Sequence, residues 1–323
     1  AMALAIWQAP RGVAAGLSIL LIGAHAIGCW PSVISRWNHK QPWALKGAPW
    51  QAALRIEPEE QYLGRVLPEY NVARMIERVV PAGARVFSPD AVSDAYTSRE
   101  VIVSYQSALG ETLMDDLLTP VLHDFGPVWS IRFEWPPREL AGLRLVETGS
   151  DEVEQWSIHE VLLFAGASYV VPKPDWLLRS RPNGWDAALA TDGNPATRWR
   201  SWWPLYPGMQ YQVDFPKPLR LSAVELHCSS DQEQLRLRLE GRDPQGRWED
   251  LPASMRRSDR EPQREEMKRL AAGELKRQGV GYLLTDLEGG GMNVIAPDIA
   301  NNPASWGVEQ VAAYGPVRLY RID

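Results

Sequence analysis

The sequence predicts an α+β protein: a single N-terminal transmembrane helix, then an α/β domain with a β-sandwich inserted into it. Three observations predict this. An uncharged apolar run fills residues 12–30. Short apolar strands alternate with amphipathic helices over 57–126 and again over 256–323. Between them, 127–255 carries short alternating strands with frequent Pro and no helical period. The length agrees, because single cores stop growing at roughly 250 residues and this chain has 323.

The first element is GVAAGLSILLIGAHAIGCW, Gly12 to Trp30. As a helix it spans about 28 Å at 1.5 Å per residue, close to the hydrocarbon thickness of a bilayer. Trp7 and Trp30 bracket it as interfacial anchors, and Pro31 is expected to end it. A cleaved signal peptide would share the apolar core, and "AIGC" at 26–29 resembles a lipoprotein box that would acylate Cys29. An uncleaved anchor over 1–31 is the preferred reading. Residues 32–56 hold Trp37, Trp43 and Trp50, several bases and no acid. Such a stretch suits the membrane surface or a neighbouring subunit. Arg11 precedes the span, whereas Arg36, Lys40 and Lys46 follow it, so the positive-inside count points the C-terminal mass to the cytoplasm.

After Pro68, Val72, Met75, Ile76 and Val79 keep helical spacing. ARVFS (84–88) and EVIVSYQ (100–106) read as strands, and ETLMDDLLTPVL as a helix stopped near Pro120. From about Gly126 the strands VWSIRFEW, LAGLRLVET, WSIHEVLLFAG, MQYQVDF, SAVELHC and LRLRLEG follow. Past Pro252, REEMKRLAAGELKRQG is a helix closed by Gly279, VGYLLTD is a strand, and the chain ends in two strands joined at Tyr-Gly-Pro. Each flanking half is too small for its own core, so 57–126 and 256–323 are expected to form one domain around the sandwich of 127–255.

Composition excludes several functions. A net charge of −6 without a basic run argues against nucleic acid. Five scattered His and two distant Cys, Cys29 and Cys228, suit neither a zinc site nor a disulfide framework. Gly289–Gly291 lacks the Lys-Ser/Thr of a phosphate loop, and no Gly-x-Ser-x-Gly elbow occurs. The pairs Asp115-Asp116 and Glu265-Glu266 are expected on solvated helix faces. No catalytic constellation emerges, and a non-enzymatic role is expected. Fifteen Trp against five Phe is the outlier. Trp pairs an apolar body with one N–H donor, which suits cores, membrane belts and contact surfaces.

Two resemblances follow from quoted residues. NGWDAALATDGNPATRWRS…PGMQYQVDFPKPLRLSAVELHC…LRLEGRDPQGRWEDL (183–251) resembles the discoidin-like, or coagulation-factor type C, jelly roll, with its Asp-Gly-Asn turn, Thr-x-Trp and Val-Asp-Phe strand. WSIHEVLLF (156–164) resembles that family's closing strand but precedes the turn. This implies a circularly permuted, galactose-binding-like sandwich over about 127–255. VVPAGARVFSPDAVSDAYTSREVIVSYQ and GVGYLLTD…NPASWGVEQVAAYGPVRLYRI resemble the soluble, periplasmic C-terminal region of bacterial membrane glycosyltransferases. The loops bearing that family's catalytic acids are absent here, so this resemblance implies ancestry and a periplasmic side rather than activity.

The discoidin resemblance also implies a structural Ca2+ in the turn. Asp192 and Thr197 would give side-chain oxygens, Leu189 and Asn194 carbonyls, and Glu160 a second carboxylate. The alternative is a plain hydrogen-bonded turn, with Gly193 supplying positive φ. Arg198, Arg200, Trp202, Trp203 and Tyr206 form the expected ligand or partner surface, unless Trp199 and its neighbours only cap the sandwich. The expected function is a bacterial inner-membrane, single-pass accessory subunit docked on a larger integral-membrane complex, respiratory or photosynthetic in class. The alternatives are a membrane-tethered carbohydrate-binding module and a non-catalytic remnant of a membrane glycosyltransferase.

Overall fold

A computed structural model describes residues 10–37, 50–289 and 294–323. Trp7, Trp43, the side chains of Trp30 and Trp37, and most of the Trp-rich linker therefore lie outside the described residues, as do Gly290 and Gly291. The chain divides into two compact units, Ala1–Pro68 and Glu69–Asp323.

In the first unit, helix α1 (Arg11–Trp37) contains a window, Arg11–Cys29, long and apolar enough to cross a membrane, with mean hydropathy 1.8. Among the described residues its apolar side chains are largely uncovered: Ile19, Leu20 and Ile22 are 72%, 69% and 69% exposed. Pro31 was expected to end the helix, yet the helix continues to Trp37. A proline removes one N–H donor and bends a helix, but the flanking turns keep their bonds and the helix can resume. A second helix, α2 (Glu59–Val66), is exposed and pins Glu57 through Arg65 at 2.9 Å.

The second unit is α+β. Its five-stranded sheet runs β14-β15-β13-β1-β2, with β1 Arg85–Ser88, β2 Glu100–Val103, β13 Val280–Asp286, β14 Val308–Tyr314 and β15 Val317–Ile322. β1 pairs in parallel with both β2 and β13, whereas β13, β15 and β14 are antiparallel. The sheet thus joins chain segments that flank residues 129–259. Alternation along the strands sends side chains to two covered faces. Val86, Leu284 and Leu319 meet helix α3 (Pro68–Val79) through Val72, Met75 and Ile76. Phe87, Leu283 and Tyr320 face the opposite way, against α4 (Ala108–Leu118), α5 (Arg264–Arg277), α6 (Ile295–Asn301) and α7 (Pro303–Trp306). Gly279, at φ +81, ends α5 in the left-handed conformation that a side chain resists.

Residues 129–259 form a sandwich-like set of sheets. Eight strands run β11-β10-β3-β9-β5-β6, with β12 on β3 and β7 on β9; β4 (Gln155–Ile158) and β8 (Trp199–Pro204) make a second, two-stranded sheet. The remaining ranges are β3 Trp129–Glu147, β5 Glu160–Ala165, β6 Ser168–Val170, β7 Leu177–Arg181, β9 Gln210–Cys228, β10 Leu237–Arg242, β11 Trp248–Asp250 and β12 Ser254–Asp259. VWSIRFEW and LAGLRLVET, read as separate strands, are one bent strand, β3; MQYQVDF and SAVELHC likewise merge into β9. Pairing between them skips from Glu134 to Arg138, so Pro136 and Pro137 sit where the ladder needs no N–H. Between the sheets lies a core built on Trp156, Trp199 and Tyr211, all fully buried; Trp199 meets the other two rings edge-on at 5.2 and 5.5 Å.

Candidate functional site

WSIHEVLLF breaks into β4 and β5 at His159, and this break delivers Glu160 to the Asp-Gly-Asn turn. The turn closes on itself first. Asp192 Oδ1 accepts from the Asn194 N–H at 2.8 Å, Gly193 takes φ +76, and Asn194 Oδ1 accepts from the Ala196 N–H at 3.1 Å. Ala196 is fully buried in the same apolar cluster as Leu113, Leu117 and Leu275 of α4 and α5. His159 locks the far side. Its Nδ1 lies 3.0 Å from the carbonyls of both Pro195 and Thr197, so that nitrogen carries the hydrogen. Burial, and then the charge of Arg198, push its pKa down to about 3, so the ring is neutral.

Oxygen atoms crowd around Thr197. Its Oγ1 lies 2.8 Å from the Asn194 carbonyl, 3.1 and 3.2 Å from the two Asp192 carboxylate oxygens, and 3.4 Å from the Leu189 carbonyl. One hydroxyl hydrogen cannot serve four acceptors. Glu160 adds to the excess: its Oε1 is buried with no hydrogen-bond partner among the described residues. Burial, and then the charge of Asp192, push the Glu160 carboxyl up to about 8. Burial raises Asp192 as well, against hydrogen bonds that lower it. Arg277 reaches Asp192 only at 3.6 Å and is itself half exposed. The five residues expected to hold Ca2+, Leu189, Asp192, Asn194, Thr197 and Glu160, therefore converge. A surplus of hard oxygen acceptors with an orphaned carboxylate oxygen suits a hard cation. Among the described residues no cluster of three or more His, Cys, Asp or Glu side chains is placed to hold a metal, so any cation here would lean on carbonyl and hydroxyl oxygens.

The expected contact surface divides. Arg198 was placed on it, but its side chain is buried at 3% exposure. Its Nε and Nη2 donate to Asp115 at 2.5 and 2.6 Å, and Arg200 adds a third bond at 3.0 Å. Burial alone would raise Asp115; the Arg198 charge and hydrogen bonds, with the Arg200 charge, outweigh it and hold the carboxyl below its usual range. The expectation that Asp115 and Asp116 sit on a solvated helix face fails for the same reason: both are buried, at 5% and 1% exposure. The partner of Asp115 lies 83 residues away in sequence, beyond any local pattern.

The other members are at the surface. Trp203 is 62% exposed and Tyr206 36%. Trp202 takes φ +58, a conformation uncommon for a bulky residue and frequent where structure serves a site. The Arg200 guanidinium lies 4.3 Å from its ring centroid, and its Nε1 donates to Asp186 at 3.4 Å. Trp202 and Arg200 line an open cavity of about 310 Å3 with Tyr105, Glu111, Asp115 and Phe125. Sequence reading missed Tyr105, which is 60% exposed; it sits in a strand-like run that carries no signal of exposure.

No protein-family description, no curated protein and no solved structure matches this chain.

Proposed function

We propose that the chain is a membrane-anchored, non-enzymatic carbohydrate-binding protein whose head holds glycans at the cavity lined by Trp202 and Tyr105, with exposed Trp203 and Tyr206 as further aromatic contacts. One observation carries this reading. Half-buried Trp202, at positive φ against Arg200, lines an open cavity with exposed Tyr105, and the next residue on β8, Trp203, is 62% exposed. Aromatic rings at the rim of such a cavity offer the flat apolar surface on which sugar rings stack, beside polar groups that bind hydroxyls. The discoidin-like turn supports the same reading, because it would brace β8 from beneath. There Leu189, Asp192, Asn194, Thr197 and Glu160 would hold Ca2+, whose charge would balance the two carboxylates. The permuted, inserted sandwich and the periplasmic side of a bacterial inner membrane belong to this proposal too.

The test is a titration of the full chain in lipid nanodiscs, free of sugar-based detergent, with neutral oligosaccharides. Millimolar or tighter binding that weakens in Trp202→Ala and Trp203→Ala is expected; absence of saturable binding refutes the reading. A second reading, an accessory subunit docked to an integral-membrane complex, is favoured by the uncovered apolar side chains of α1. It predicts a stoichiometric complex on extraction from the native membrane, with no response to sugar.

A further inference from the structure

A second cavity, of about 290 Å3, opens along a neighbouring stripe of α4, between α5 and the 185–189 turn. Thr112, Asp116, Trp185, Asp186, Glu274 and Gln278 contribute its polar and aromatic lining. We propose that this cavity is a binding subsite for one uncharged sugar ring, stacked on Trp185 and hydrogen-bonded by Asp116 and Thr112. The proposal rests on the carbohydrate reading above and names a different site and a ligand class.

Trp185 is 70% exposed, the most exposed of the described tryptophans. Its exposure is built rather than accidental. Asn183 Oδ1 accepts from the backbone N–H groups of Trp185 at 3.2 Å and Asp186 at 3.4 Å. Asn183 is itself 1% exposed and donates through Nδ2 to the Arg200 carbonyl at 2.8 Å, while Trp199 Nε1 donates to the Asn183 carbonyl at 2.7 Å. The ring is therefore carried on a turn anchored in the sandwich core.

Asp116 supplies the second, independent observation. The residue is 1% exposed, lines the cavity, and its Oδ2 has no hydrogen-bond partner among the described residues. A buried carboxyl without a partner is costly unless something fills the need. Both nearby arginines bond its neighbour Asp115 instead. Burial, and then the Asp115 charge, push the Asp116 carboxyl well above its ordinary range. Thr112 complements it: its hydroxyl donates to the Ala108 carbonyl at 3.0 Å, leaving lone pairs to accept.

The charge of the lining selects the ligand. Among the described residues no Lys or Arg lines the cavity, which disfavours phosphate, sulfate and uronate. The other two acids have partners: Asp186 Oδ2 accepts from Asn183 at 2.9 Å and from Trp202, and Glu274 accepts from Gln278 at 2.7 Å through Oε1 while its Oε2, which makes no hydrogen bond among the described residues, is ion-paired with Arg277. An uncharged ring bearing both donors and acceptors fits what remains. The volume sits at the small end of ligand pockets, roughly 300–1,000 Å3, which suits a single ring.

The test is saturation-transfer NMR and calorimetry on the nanodisc-embedded full chain. The probes are methyl glycosides of glucose, galactose and mannose, with glucosamine and glucuronate as charged counterparts. At least one neutral glycoside should bind, about tenfold weaker in Trp185→Ala and in Asp116→Leu, and nearly unchanged in Asp116→Asn. The Asp116 variants are compared only at matched melting temperature, and exposed Trp185 keeps the test valid if Asp116→Leu unfolds. Neutral sugar binding that survives Trp185→Ala but falls in Trp203→Ala overturns this subsite and leaves the broader reading standing. Preference for glucosamine would show an ionised Asp116 and also overturn it. No saccharide binding at all would refute both.

Discussion

Asp115 and Glu160 are both carboxylates taken out of water, and the protein handles them in opposite ways. Asp115 receives two arginines and three short hydrogen bonds, and its charge is retained. Glu160 meets another carboxylate, Asp192, keeps an unpartnered oxygen, and holds its proton up to about 8. The first site is complete with protein atoms alone, as a fastening between α4 and β8 should be. The second is incomplete, and a proton or a cation must finish it. Two buried acids of similar exposure thus point to different roles once their neighbours are counted.

Breaking the complete site should have the largest effect. Arg198→Ala strands the Asp115 charge, and removal of one partner from a buried pair costs about 3–5 kcal/mol. Denaturant unfolding of the full chain should show a midpoint lowered to match; an unchanged midpoint would mean that the fastening carries no load.

The incomplete site should respond to pH. The Glu160 carboxyl is raised from 4.5 to about 8, so the folded state holds its proton more tightly than the unfolded state does. In a chelator, stability from this group is full below pH 4.5 and is lost as pH rises through about 8. The slope is about 1.4 kcal/mol per pH unit within that window. Glu160→Gln should flatten it; an identical slope in this variant would remove Glu160 from the account.

Ca2+ should act next in size. A cation at a hundredfold excess over its dissociation constant stabilises by about 2.7 kcal/mol, and its affinity should rise with pH because it competes with the Glu160 proton. Asp192→Ala should abolish the melting-temperature gain. A gain that persists would place the cation elsewhere. The smallest effect belongs to Trp203→Ala, which is surface-exposed and should change stability by less than about 0.5 kcal/mol; a larger loss would make Trp203 a packing residue rather than a contact.

The sequence conveyed what local chemistry encodes. The apolar run that becomes α1, the alternating residues of β3 and β9, the apolar run of β13, the glycine that ends α5 and the Tyr-Gly-Pro turn between β14 and β15 each carry their own signal within a few residues. The Asp192 turn and Glu160 were legible as a set only through resemblance. What stayed hidden depends on distant partners. Asp115 and Asp116 look like any solvated acidic pair until Arg198, just ahead of β8, reaches Asp115. Arg198 looked like a surface residue because its environment is made by α4 and not by its neighbours. Trp185 escaped notice because nothing in "NGWDAA" separates an exposed ring from a buried one; the Asn183 hydrogen bonds decide it. Pro31 misled because a proline weakens a helix without always ending it.

The most direct measurement is calorimetric titration of the full chain in nanodiscs with neutral oligosaccharides, repeated for Trp202→Ala and Trp203→Ala. Saturable binding at millimolar concentration or below, weakened about tenfold in either variant, is the predicted result. Heats indistinguishable from dilution across the panel, with both variants still folded, would contradict a carbohydrate-binding head.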